Sequence, residues 1–144
     1  MLQGNKATTM LLDVNGRKLE VSKTARNIAM FNFQQLFTKA MGAADYIAIA
    51  SHFHTVFLVD VPIIKDTEFN WARRFITFID SLYEHKVKLV CSAQEKPENL
   101  FVLSDSHSGV GAEESFAWKR CVSRLAEMQT VEYLSSPHKP DASN

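Results

Sequence analysis

The sequence predicts an α/β fold: an N-terminal hairpin, then a mainly parallel sheet carrying a βαβ unit with flanking helices. Three observations carry this. Phe69, Ala72, Phe75, Ile76, Ile79, Leu82 and Tyr83 recur at spacings of three and four, which at about 100° per residue draws one apolar stripe along a helix. That helix is bracketed by Thr55 to Val59, β-branched and aromatic without alternation, and by Val87 to Val90, alternating about Lys88; both read as strands, the first buried on both faces. Asn15-Gly16, the dipeptide that best accepts the positive φ angles of a two-residue turn, sits between two alternating segments.

Taken in order, Met10 to Val14 and Lys18 to Val21 form the arms of that hairpin. Ile28 to Phe33 alternates, with Ile28 and Met30 on one side and Ala29, Phe31 and Phe33 on the other, so a third strand with both faces largely covered is expected. Gln34 to Phe37 can begin a short helix. Gly42 punctuates before the helix-forming Ala43 to His52. The strand Thr55 to Val59 stops at Asp60 and Pro62, and Asp66 or Thr67 can cap the amphipathic helix. Strand, helix and strand then make a right-handed βαβ unit that brings Asp60 and Ser92-Ala93 to one edge of the sheet. Pro97 to Phe101 suits a helical turn, Ser104 to Gly111 a mobile loop, and Glu114 to Tyr133 a last helix. One domain, residues 10–134, is expected between a flexible start at 1–9 and a disordered tail at 135–144.

Composition narrows the function classes. With 46% hydrophobic and 22% charged residues the chain is that of a globular protein. Sixteen Lys plus Arg balance sixteen Asp plus Glu, so no bulk field draws nucleic acid or anionic lipid, and no nucleic-acid partner is expected. The longest apolar run, Thr55 to Ile64, is interrupted by Asp60 and Pro62 and falls well short of the roughly 18 residues of a membrane helix. Cys91 and Cys121 lack metal-ligand or C-x-x-C spacing and read as reduced packing residues.

The catalytic signatures that such a sheet could carry are missing from the sequence. A P-loop needs Gly-Lys-Ser/Thr where a Gly-rich turn enters a helix, and the chain contains no Gly-Lys dipeptide. None of its five glycines gives G-x-G-x-x-G. His52 and His54 lack a third ligand nearby, and Asp60 is followed by Val61 where many nucleotide hydrolases carry Glu. No catalytic residue, metal ligand or cofactor is assigned to the chain itself.

The arginines are harder to place. Arg73 shares a flank with Asp80 and Glu84, whereas Arg74 points nearly away from the apolar stripe. Surface ion pairing worth about 0–1 kcal/mol accounts for such residues in most proteins. The sharper expectation is that Arg74, or Arg124 on the last helix, offers its guanidinium to a phosphate or a partner carboxylate.

Three long blocks, GAADYIAIASHFHTVFLVDVP (Gly42 to Pro62), ARRFITFIDSLYEHKVKLVCSA (Ala72 to Ala93) and RCVSRLAEMQTVEYL (Arg120 to Leu134), resemble the C-terminal portion of the ZapE/AFG-type P-loop ATPases. The resemblance runs from about Gly16 to Leu134 and implies part of a P-loop NTPase-family fold. It also implies ATP and magnesium for the full-length family, and ATP-driven protein handling: cell division in bacteria, protein quality control in mitochondria. The Walker A, Walker B and first sensor motifs are absent, so the chain is expected to be a fragment, with Met1 internal to a longer protein. Its expected role is a C-terminal, non-catalytic module that does not hydrolyse ATP alone. Its expected partners are the missing ATPase core, neighbouring family subunits and client proteins. The alternative is an autonomous interaction protein that modulates full-length members. Localisation would be cytoplasmic in bacteria, or mitochondrial on the matrix side of the inner membrane in eukaryotes; the Ser104 to Gly111 loop resembles eukaryotic inserts. Arg73, Arg74 and Arg124 become candidates for an interface or phosphate-facing role. Trp71 and Phe78, off the main stripe, become candidates for the apolar patch that a module leaves exposed.

Overall fold

A computed structural model describes residues 7–103 and 112–141. The Ser104 to Gly111 loop, the first six residues of the expected flexible start and the last three of the expected tail lie outside them. Strands β1 (Thr8–Val14) and β2 (Arg17–Ala25) are joined at Asn15-Gly16, where φ is +51° and +86°, the left-handed conformation that the dipeptide predicts. β3 (Ile28–Asn32) pairs antiparallel with β2 and leads into α1 (Phe33–Phe37) and α2 (Ala43–His52). β4 (Thr55–Val61) then pairs parallel with β3. α3 (Phe69–Glu84) crosses back, and β6 (Lys88–Ala93) pairs parallel with β4, completing the βαβ unit. Sheet order is β1-β2-β3-β4-β6.

Two features go beyond the sequence reading. Ile64–Lys65 (β5) and Phe101–Val102 (β7) form a small parallel ladder beside the main sheet. The last helical stretch is two helices, α4 (Ala112–Glu127) and α5 (Val131–Ser135), because Thr130 turns the chain and caps α5 by accepting from the Tyr133 N–H at 3.2 Å. Asp66 and Thr67 do not cap α3. They belong to a 3₁₀ turn, Asp66–Glu68, that runs into it.

The tail expectation also needs correction between Ser136 and Lys139. The Lys139 N–H donates to His85 O at 2.8 Å, His138 Nε2 lies 2.7 Å from Ala50 O, and Lys88 Nζ donates to Ser136 O at 2.6 Å. These bonds clasp the segment across the ends of α2 and α3 and the start of β6. Sequence pattern misses it because the segment is held through backbone carbonyls rather than an apolar stripe.

The core lies on one face of the sheet. Leu12, Val14, Val21, Ala29, Phe31, Val56 and Leu58 project from alternate strand positions into a cluster with Phe33, Phe37, Tyr46, Phe75, Phe78, Leu82, Trp118 and Tyr133. α1, α2 and α4 all pack on α3, so these helices form one layer. Tyr46 and Tyr133 are buried with their hydroxyls satisfied by carbonyls, Leu36 O at 2.7 Å and Val87 O at 2.7 Å.

Candidate docking surface

Strand alternation puts the other residues of β3, β4 and β6 on the opposite face, where no described helix packs. Met30 of β3 stands beside Phe57 of β4, which stands beside Val90 of β6, so the three make a single row across three parallel strands. Ile28 and Val59 extend the row along the strands. Met30, Phe57, Ile28 and Val59 are half-buried and lie outside the core cluster, and Val90 is 51% exposed. The expectation that β3 and β4 are covered on both faces is therefore met on one face only.

The same face changes character over the hairpin. Leu11 and Asp13 of β1 sit opposite Glu20 and Lys18 of β2, and the Asp13–Lys18 pair is 3.7 Å apart with both side chains exposed. The polar half suits water. The apolar half over the parallel strands does not.

Among the described residues β6 also ends the sheet, so one side of its backbone has no described strand partner. From Leu89 to Ala93 it carries no charge or proline, the usual guards of an exposed edge. On the helical side of this edge a groove of about 900 Å³ is lined by Leu89, Cys91, Pro97, Leu100, Val122 and Leu125. Cys121 is buried in the core, and burial pushes its thiol up to about 12. Cys91 is exposed on β6 at the groove, beside Leu58 of β4, rather than buried in the core as a packing residue.

The three candidate arginines do not converge. Arg73 Nη2 donates to Glu114 Oε1 at 2.9 Å and its guanidinium lies 4.7 Å from the Phe69 ring centroid. Arg124 pairs with Asp80 and lies 5.0 Å from the Tyr83 ring centroid. Both tie α3 to α4. Arg74 is half-buried, donates from Nη1 to Phe37 O at 3.1 Å, and among the described residues has no carboxylate at ion-pair distance.

Of the two candidate patch residues, Phe78 is a correction. It is fully buried, with its ring centroid 5.5 Å from that of Phe37 and 5.4 Å from that of Tyr46. Trp71 is half-buried and meets Phe33 edge-on at 5.9 Å. The stripe underestimates burial because α3 is covered by α1, α2 and α4 as well as the sheet, so the buried arc is wider than one amphipathic face. The exposed apolar row was missed because β4 does not alternate and β3 carries apolar residues on both sides, so both read as covered on two faces.

Asp60 and Ser92 do share an edge. The Asp60 N–H donates to Ser92 Oγ at 2.9 Å, and a hollow of about 340 Å³ is lined by Asp60, Ser92, Ala93 and Gln94. It contains no histidine, cysteine or lysine to activate a nucleophile. His52 meets the Phe53 ring edge-on and His54 Nδ1 lies 2.8 Å from Thr55 Oγ1. Among the described residues no group of three His, Cys, Asp or Glu side chains could hold a metal ion, and no helix is long and apolar enough to cross a membrane.

Fold and surface together define an α/β module with one helix-covered sheet face and one on which no described helix packs. The family model described as AFG1-like ATPase matches residues 1–137, and the chain belongs to that family. The cell division protein ZapE of Escherichia coli K12 is 36% identical over 135 residues, covering 94% of this chain and 34% of the relative. An uncharacterised protein of Schizosaccharomyces pombe is 34% identical over 146 residues, covering 88% and 32%. Lactation elevated protein 1 homolog B of Danio rerio is 36% identical over 158 residues, covering 93% and 31%. The chain thus spans about a third of the length of these relatives. No solved structure matches.

Proposed function

We propose that this chain acts as the C-terminal, non-catalytic module of an AFG/ZapE-type ATPase, working by docking rather than by chemistry of its own. The single observation that carries the reading is the uncovered apolar row Met30–Phe57–Val90 on a parallel sheet, a kind of sheet normally covered on both faces. The absence of Gly-Lys from the sequence, and the two thirds of each relative that this chain does not match, support it. ATP and magnesium then belong to the full-length family protein, whose work is ATP-driven protein handling: cell division in a bacterial setting, as the name of the E. coli relative suggests, or quality control in a mitochondrial one.

Titration of the purified chain with magnesium–ATP in a calorimeter tests this. No binding heat is expected at micromolar concentrations, and a micromolar Kd would overturn the reading. Mixing the chain with a full-length relative tests the alternative role as a free modulator, which predicts a change in complex size or ATPase rate.

A further inference from the structure

We propose that the uncovered face of β3, β4 and β6 is the seat of an amphipathic helix contributed by the two thirds of the family polypeptide lying outside the matched region. This rests on the module reading above and specifies its contact.

Topology selects the occupant. β3, β4 and β6 are added in one direction across the sheet, and their crossovers, α1–α2 and then α3, lie on one face. Right-handed crossovers between strands added in one direction put every connecting helix on that same face. No segment between β3 and β6 can therefore reach the other face. α4 and α5 do not reach it either, since Trp118 and Cys121 of α4, Tyr133 of α5 and Met128 between them bury themselves in the existing core. No described segment of this chain covers the face, and matched relatives carry about twice as much further sequence as this chain covers.

Dimensions select a helix. Adjacent strands lie about 4.8 Å apart, so the row from Met30 through Phe57 to Val90 is about 10 Å wide, the width of one α-helix with its side chains. Ile28 and Val59 lengthen it along the strands, the direction in which helices lie on parallel sheets. The boundary is marked as well: Asp13, Lys18 and Glu20 take over on the hairpin, where a second helix would desolvate charge.

The test places a photo-crosslinking amino acid in full-length E. coli ZapE at the residue aligned with Val90, with a control at the residue aligned with Glu20. A second insertion, aligned with Met30, reads the same row if the first disturbs folding. Irradiation is expected to give an intramolecular crosslink from the Val90 or Met30 position to a helical peptide outside the matched third, and none from the Glu20 position. A folded protein without that crosslink overturns the inference but leaves the module reading, which falls instead on micromolar ATP binding by this chain. Crosslinks to the same row of a second molecule overturn it in favour of self-association.

Discussion

The Tyr133 hydroxyl donates to Val87 O at 2.7 Å and also lies 3.1 Å from Leu82 O, so one phenol from α5 joins the end of α3 to the start of β6. Leu82 O lies in the last turn of α3 and also accepts from the Val87 N–H at 2.9 Å, whereas Val87 O falls between α3 and β6. Tyr133→Phe removes the donor and leaves the Val87 carbonyl short, while Leu82 O keeps the Val87 N–H. We expect a loss of about 1–2 kcal/mol by urea denaturation, with the same secondary structure. No loss would mean that water replaces the hydroxyl and that α5 is less firmly docked than its ring stacking on Tyr83, 6.0 Å between centroids, implies.

Alkaline pH tests the same burial. Burial foremost holds the phenols of Tyr46 and Tyr133 above the ordinary value of about 10. Above that pH the unfolded chain releases protons that the native chain keeps, so the native state binds more protons and stability falls as pH rises. The stabilisation is complete below about pH 10 and declines from there towards the raised native values. Denaturation midpoints across that range should show the decline, and Tyr133→Phe should flatten it.

Asn32 caps α1 reciprocally with Gln35: Asn32 Oδ1 accepts from the Gln35 N–H at 2.9 Å and Gln35 Oε1 from the Asn32 N–H at 2.8 Å. α1 has only five residues, and its Phe33, Leu36 and Phe37 are buried. Asn32→Ala should cost about 1 kcal/mol in chemical denaturation. A smaller effect would show that core packing alone holds the turn.

Arg74 can now be separated from its two companions. Its bond to Phe37 O places a cation at the C-terminal end of α1, which accounts for the residue without any phosphate. Arg74→Ala should therefore destabilise this isolated chain by about 1–2 kcal/mol, with Arg74→Lys recovering part of the loss. If the isolated chain is as stable without the guanidinium, the phosphate-facing expectation for Arg74 regains its ground.

The fold was legible wherever local pattern and topology agree. Asn15-Gly16, the α3 stripe and the two β-rich runs around it placed the hairpin and the βαβ unit, because each depends on periodicities of two and 3.6 that side chains must obey. The surface was not legible in the same way. Phe57 belongs to an apolar run that looks identical whether one sheet face is covered or both, and only the position of the helices tells the two apart. Phe78 failed for the converse reason, since its burial comes from α1 and α2, which are distant in sequence. The ion pairs Arg73–Glu114 and Arg124–Asp80 span 41 and 44 residues, beyond any local spacing rule.

Asp60 provides a last discrimination between backbone need and chemistry. It breaks the β4 ladder between Leu58 and Val61 with φ at +61°, a left-handed conformation that Asp, Asn and Gly tolerate and β-branched residues do not. If backbone geometry is the reason for the residue, Asp60→Asn should be near neutral. Asp60→Gly should match or exceed wild-type stability by up to about 1 kcal/mol, and Asp60→Val should lose about 1–2 kcal/mol. If the carboxylate is the reason, the order changes: Asn and Gly would both impair the full-length family protein while leaving the stability of this chain intact. Thermal melts of the three variants of this chain, with activity measured for the same substitutions at the aligned residue of a full-length relative, decide between the two.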